Sequence, residues 1–170
     1  IMYRAIIGGL AIALLPVVTA AQNYPDKPIR MIVATPAGSP TDVLARMVQA
    51  GLSSALGQQI VIDNRSGAGG IIGAQMVAKA LPDGYTLFYS APGPLTLLPH
   101  LQKQRMWFDP LTDFSPISLV VTGPFLLVSN PSLPAKTIKE VVALAKSEPG
   151  KLSYASAGNG TSTHLAAELF

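Results

Sequence analysis

Two segments of this chain share one layout, and it is a layout suited to holding an anion. An apolar strand at 29–35 leads through Pro36, Ala37, Gly38 and Ser39 into a helix opened by Pro40, Thr41 and Asp42. A second apolar stretch at 152–155 leads through Ser156, Ala157, Gly158, Asn159 and Gly160 into a helix opened by Thr161, Ser162, Thr163 and His164. Each loop offers backbone N–H groups, small hydroxyls and a helix N-terminus, with almost no side-chain bulk. The first N–H groups of a helix have no intrahelical acceptor and lie at the positive end of its dipole, so they attract negative charge. Two such ends facing one another would form a pincer for a carboxylate. Neither loop contains Lys or Arg, so the anion would be held by backbone, hydroxyls and water.

The elements that must position these loops alternate along the chain. After strand 29–35, a helix at 41–56 carries an apolar stripe of Leu44, Met47, Val48, Leu52, Ala55 and Leu56. Ser39 suits its N-cap, Pro40 its first position, Asp42 its first turn and Gly57 its end. Strand 60–63, helix 70–80 and strand 85–90 follow, the last two separated by the turn Leu81-Pro82-Asp83-Gly84. A proline-rich region then holds a helical piece near 96–101, and strands are expected at 117–121 and 125–129. Thr137 and Glu140 form a capping box for a helix reaching Ser147, before Pro149-Gly150. Strand 152–155 and a helix from Thr161 onward complete the pattern, and that helix meets no stop signal before Phe170. Strands alternating with helices predict an α/β fold with a mostly parallel sheet covered on both faces, whose ligands bind outside the carboxyl ends of strands. Both small-residue loops fall at such ends, as does Ser90-Ala91-Pro92-Gly93.

Other chemistry-bearing residues have plainer readings. Asn64-Arg65-Ser66-Gly67-Ala68-Gly69-Gly70-Ile71-Ile72-Gly73 resembles a nucleotide loop, but its third glycine is one residue late for the dinucleotide fingerprint, and no Gly-Lys-Ser/Thr is present. Tight strand–helix turning explains these glycines better than ligand contact. Asp42 reads as a first-turn carboxylate that complements the helix dipole and ties down the loop, in preference to a catalytic acid or a metal ligand. His100 and His164 are the only histidines, without cysteine and without H-x-x-x-H spacing, so no metal site is expected. No G-x-S-x-G elbow accompanies His164. Trp107 and Phe108 read as a hydrophobic patch under the proline-rich segment.

Composition sets the compartment. Charged residues make up 12% of the 170 residues and apolar ones 49%, a bias fed by the first twenty residues. Met2-Tyr3-Arg4, the apolar run 5–18 and Thr19-Ala20-Ala21 have the three parts of a secretory signal peptide, and the run is short for a membrane span. Cysteine is absent, so the exported protein relies on no disulfide and carries no lipoprotein anchor. A soluble protein of the bacterial periplasm fits best. The formal charge of +3 is scattered rather than gathered into a stripe, which argues against nucleic acid as a partner.

The ordered set of motifs is itself informative. Tyr24-Pro25-Asp26-Lys27-Pro28, Pro36-Ala37-Gly38, Thr41-Asp42, Asn64-Arg65-x-Gly67-Ala68-Gly69-Gly70, Pro82-Asp83-Gly84-Tyr85-Thr86, Phe108-Asp109-Pro110-x-x-Asp113-Phe114, Asn130-Pro131-Ser132-Leu133-Pro134 and Tyr154-Ala155-Ser156-Ala157-Gly158-Asn159-Gly160-Thr161 occur in that order. Together they resemble the Bug family of bacterial extracytoplasmic solute-binding proteins, the substrate-binding components of tripartite tricarboxylate transporters. The resemblance implies a periplasmic-binding-protein fold of two doubly wound α/β domains that close around a ligand. It implies a small organic acid as ligand: a di- or tricarboxylate, an acidic amino acid or an aromatic acid. Ligand contact is carried onto Pro36, Ala37, Gly38, Asp42, Ser156, Gly158, Asn159, Gly160 and Thr161, with Ser90 and Ala91 beside them, and Ser39 is a further candidate whose side chain would narrow the pocket or add a hydrogen bond. Ser39 departs from the family pattern, standing where a second glycine is usual.

The expectation is a signal peptide at 1–21, a first α/β domain at 22–124 and the start of a second, truncated domain at 125–170. Such a protein would be a monomer, without cofactor, metal or catalytic residue, that delivers its ligand to a membrane permease. A ligand sensor built on the same fold is the alternative, and a nucleotide-dependent α/β enzyme is the rival from another class.

Overall fold

The computed structural model describes residues 24–102, 104 and 106–170. The expected leader at 1–21 lies outside them. The first strand, β1 (Ile29–Val33), is buried at every position but Arg30. Alternation sends Ile29, Met31 and Val33 to one face, where they pack with Ala45, Leu52 and Leu56 of helix α1 (Pro40–Leu56) and with Ile60. Strands β2 (Ile60–Asn64) and β3 (Thr86–Tyr89) flank β1 in the order β2-β1-β3, both parallel to it. Ile29 stands opposite Ile60, and Arg30 opposite Thr86. On the other face lies a second core of Ile71 and Ala74 from helix α2 (Ile71–Ala78), with Leu98 and Phe108. A sheet of parallel strands buried on both faces explains why β1 reads as a nearly continuous apolar run.

Local chemistry sets the element ends. Ser39 caps α1 by accepting the Asp42 N–H at 3.3 Å, Pro40 opens the helix, and Gly57 closes it in the left-handed region at φ 65°. Beyond β3, a π-helical turn (Gly93–Leu97) runs into the short helix α3 (Leu98–Leu101). Helix α4 (Ile138–Ser147) opens on the reciprocal pair expected of Thr137 and Glu140. Helix α5 (Ser162–Leu169) is capped by Thr161.

The amino-terminal motif is a strap across the edge of the sheet away from the loops. The Tyr24 hydroxyl donates to the Gly84 carbonyl at 2.8 Å, and the Tyr85 hydroxyl donates to Asp26 at 2.6 Å. Lys27 lies 4.2 Å from the centre of the Tyr85 ring. Two motifs far apart in sequence are therefore one structural unit.

The chain leaves β1 through α1 to β2 on one side, then returns through α2 to β3 on the other. The loops after β1 and β3 diverge to opposite faces, which makes the carboxyl edge between these two strands the switch point of the sheet.

Several expectations need correction. Residues 117–121, 125–129 and 152–155 form no strand, and Ile117, Leu119, Phe125, Leu126, Val128 and Tyr154 are exposed. Their composition suits a strand, but a strand exists only by pairing, and no edge of the three-stranded sheet receives them. The inner face of α1 is rotated from the expected stripe, with Asp42 and Ala45 buried and Met47 exposed. Trp107 and Phe108 part company: Phe108 is 7% exposed and packs edge-on against Phe114, whereas Trp107 is 78% exposed.

Burial, not size, therefore sets the value of this aromatic pair. Phe108→Ala should lower unfolding free energy by about 3–5 kcal/mol through the cavity it leaves. Trp107→Ala should change it by no more than about 0.5 kcal/mol. Urea denaturation of both variants tests the ranking, which equal losses would reverse.

Candidate functional site

The first loop is built around a buried carboxylate. Asp42 is 1% exposed. Its Oδ2 accepts the Gly38 N–H at 2.8 Å and the Arg46 Nε–H at 2.9 Å, and its Oδ1 accepts the Asn64 side-chain amide at 2.9 Å. Asn64 Nδ2 also donates to the Thr35 carbonyl at 3.1 Å, so the ends of β1 and β2 and the start of α1 are tied at one point. Ser39 completes the knot, its hydroxyl donating to Thr35 Oγ1 at 2.8 Å while capping α1. A buried carboxylate is tolerable only when its lone pairs are satisfied and its charge compensated. Here Arg46 first, then the Gly38 amide and Asn64, outweigh burial and hold its pKa down at about 2.

This geometry gives the expected residues distinct places. Pro36, Ala37 and Gly38 are exposed on the rim, and Ser39 is half-buried. Asp42 lies beneath them with both oxygens engaged, so it acts on the loop's shape. The Gly38 N–H is committed to Asp42, and Gly38 adopts φ 79°, which a side chain would strain. After β3, Ser90 is half-buried with its hydroxyl on the Ala91 carbonyl, and Ala91 is exposed.

The second loop is a nest closed on itself. The Gly158 N–H donates to Ser156 Oγ at 3.3 Å and the Ala157 N–H to Thr163 Oγ1 at 3.2 Å. Thr161 Oγ1 donates to the Gly158 carbonyl at 2.6 Å and accepts the His164 N–H at 3.3 Å, capping α5. The N–H groups of Asn159 and Gly160 have no acceptor among the described residues. The Asn159 and Gly160 carbonyls lie against the glycines at 69 and 93, so this loop stands at the same edge of the sheet as the first.

Sequence reasoning passed over Arg46, Asn64 and Leu98 as site-forming residues. Arg46 was legible as the partner four positions after Asp42 on one helix face. Asn64 stood in a motif read only for its glycines, and nothing local marks Leu98. The glycine turn itself is filled: a Cβ at Gly67 would meet Ile72, at Gly69 Leu98, and at Gly70 Pro94. That packing supports its structural reading. His164 has a buried Nδ1 without a partner among the described residues, and its Nε2 lies 3.9 Å from Glu168. An open groove of about 280 Å³ is lined by Pro99, Met106, Phe108, Asp109 and Pro110, none of them from the loops. No group of three or more acidic, His or Cys side chains able to hold a metal occurs among the described residues.

A parallel sheet whose helix-capped, small-residue loops share one edge is the architecture of a periplasmic binding protein. Solved structures agree. MatC from Rhodopseudomonas palustris with bound malate is 32% identical, with a TM-score of 0.77 over 86% of this chain and 49% of that one. An R. palustris protein solved with adipate is 36% identical, with a TM-score of 0.79 over 86% of this chain and 48% of that one. Protein BugT of Bordetella pertussis is 39% identical over 89% of this chain and 46% of its own length. The family described as tripartite tricarboxylate transporter family receptor matches residues 44–170. The chain belongs to that family, and it spans about half the length of these relatives.

The Asp42 knot sets a pH dependence with a definite sign. A carboxylate whose pKa falls from 3.8 to about 2 on folding stabilises the fold at any pH above its unfolded value. That contribution is lost as pH drops through the folded value, between roughly pH 4 and pH 2. Asp42→Asn should lower the urea midpoint at neutral pH, and the gap from the parent should shrink across this acid window. A gap that stays constant to pH 2 would show that Asp42 stabilises the loop without its charge.

Proposed function

We propose that this protein is an extracytoplasmic receptor that captures a small organic acid for the membrane permease of a tripartite transporter. The ligand class is a di- or tricarboxylate, an acidic amino acid or an aromatic acid. The observation that carries this reading is the pairing of two cation-free loops, each at the N-terminus of a helix, on one edge of a parallel sheet. Such loops stabilise a carboxylate by oriented N–H dipoles. Malate and adipate in two relatives of the same fold support the ligand class. The rim of Pro36, Ala37 and Gly38 and the nest of Ser156, Gly158, Asn159, Gly160 and Thr161 are the contacts we assign, with Ser90 and Ala91 on the wall between. Ser39 and Asp42 act from below, by shaping the first loop.

Binding rather than catalysis follows from what these groups have left to offer. A carboxylate held near pKa 2 is a poor general base. The Ser39 and Thr161 hydroxyls are committed to capping. The receptor is exported by the leader at 1–21, works in the periplasm as a monomer and divides into a first domain at 22–124 and a second from 125. Ligand contacts made to both would favour the closed arrangement.

A thermal-shift screen of the complete gene product against malate, adipate, tricarboxylates, aromatic acids, acidic amino acids and nucleotides tests the reading. A ligand at one hundred times its Kd adds about 2.7 kcal/mol, a shift of a few degrees. Stabilisation by an organic acid with nucleotides silent is the expected result. Stabilisation by NAD or ATP alone would overturn it in favour of a nucleotide-dependent enzyme.

A further inference from the structure

From residue 136 to 170, Gly160 is the only buried residue. Helices α4 and α5 bury none of their own. The fully buried contact of the second loop is therefore small, and it is made by Gly160 with Gly93, Gly69 and Leu98. A Cβ at Gly93 would lie 3.3 Å from the Gly160 carbonyl, 3.5 Å from the Gly69 carbonyl and 3.9 Å from the Thr161 Cα. A Cβ at Gly69 would lie 3.2 Å from the Asn159 carbonyl and 3.0 Å from Leu98. A Cβ at Gly160 would overlap the Leu98 side chain, which is fully buried in the second core. Backbone thus rests on backbone, with Leu98 as the floor.

We propose that Gly69, Gly93 and Leu98 form a seat into which residues 159–161 dock, and that this seat sets ligand affinity without touching the ligand. The inference rests on the receptor reading. If a carboxylate is gripped from two loops, its affinity depends on how closely they approach. The seat is the packed contact that fixes the second loop relative to the sheet bearing the first. An added methyl would hold the loop off by tenths of an ångström or more, misaligning its N–H groups. Gly93 is the informative position, because its φ is not in the left-handed region and the atoms nearest its missing Cβ belong to Gly160, Gly69 and Thr161. Gly69, Gly93 and Leu98 are thus positioning residues.

The test uses the complete gene product, with Kd for malate and adipate measured by calorimetry and the ligand-free melting midpoint measured alongside. Gly93→Ala should weaken binding roughly five- to a hundredfold, the range that overpacking a tight contact produces. Gly93→Val should weaken it further. Gly93 is buried beside Leu98 of the second core, so the ligand-free midpoint should fall by no more than a few degrees, less than the loss of affinity would require. Gly51→Ala, exposed inside α1 with open space around it, should leave Kd unchanged and raise the midpoint slightly, because alanine favours the helix over glycine. Unchanged Kd in Gly93→Ala, or a loss of ligand-free stability that accounts for the weaker binding, would overturn the proposal. If the parent binds neither acid, the choice of these two probes is at fault, and amide hydrogen exchange of the ligand-free protein decides the seat. Faster exchange at 159–161 in Gly93→Ala than in the parent sustains it, and equal exchange overturns it.

Discussion

A carboxylate enclosed where three elements meet is the constraint on which the rest of this structure depends. Asp42 has little contact with water, and its lone pairs are met by a backbone amide, a guanidinium and a side-chain amide. Removing any one donor would leave buried charge short of a partner, which is far more costly than a lost surface contact. The knot therefore tolerates little variation in the path of residues 35–39. It also solves an electrostatic difficulty. A bare carboxylate at the N-terminus of α1 would oppose the capture of another anion there. Arg46, half-exposed and in contact with Asp42, neutralises it. The knot therefore sets no bare negative charge beneath the rim, although it engages the Gly38 N–H in doing so.

The two edges of the sheet are organised by different chemistry. At the amino edge, long aromatic and charged side chains close the surface: Tyr24 on Gly84, Tyr85 on Asp26, and Lys27 over the Tyr85 ring. At the carboxyl edge few side chains intervene: Gly93 faces the carbonyls of Gly69 and Gly160, Gly69 faces that of Asn159, and Leu98 fills the space beneath. A binding edge needs N–H groups near the ligand, and every Cβ placed there would hold it away. Strand order produces this division, because the β2-β1-β3 arrangement has its switch point only where the loops diverge, at the carboxyl end.

What the sequence made legible was local. Ser39, Pro40 and Gly57 bound α1 as their cap and stop chemistry predicts, and Thr137 and Glu140 start α4. The ordered motifs placed the chain in its family. What stayed hidden depended on partners distant in sequence. Residues 117–121, 125–129 and 152–155 carry strand composition, yet a ladder needs a second strand and none is adjacent. Met47 fitted a helical stripe, but the face that α1 turns to the sheet is set by Asp42 and Ala45, and Asp42 is polar. A buried aspartate defeats hydrophobic periodicity because its burial depends on hydrogen bonds from Gly38 and Asn64. The small residues at 156–160 suggested a loop that offers its N–H groups, but nothing in that segment discloses that Gly160 lies on Leu98.

Loops of this kind would also limit how selective a site built from them can be. Backbone amides recognise a carboxylate by its oxygens and charge, and they do so equally for every organic acid. Recognition by the two loops alone therefore defines a class of ligands, not a member of it. Choosing one acid requires side chains that meet the remainder of the molecule, and the rim of Pro36, Ala37 and Gly38 offers only small surfaces for that purpose. Discrimination must then come from the distance available between the loops and from the residues that close over the ligand. On the proposed reading, that distance would depend on the Asp42 knot under one loop and the glycine contact under the other. Asp42 and Gly93 are themselves buried, so in a receptor of the kind proposed each would act on the spacing of the loops and not on carboxylate recognition itself.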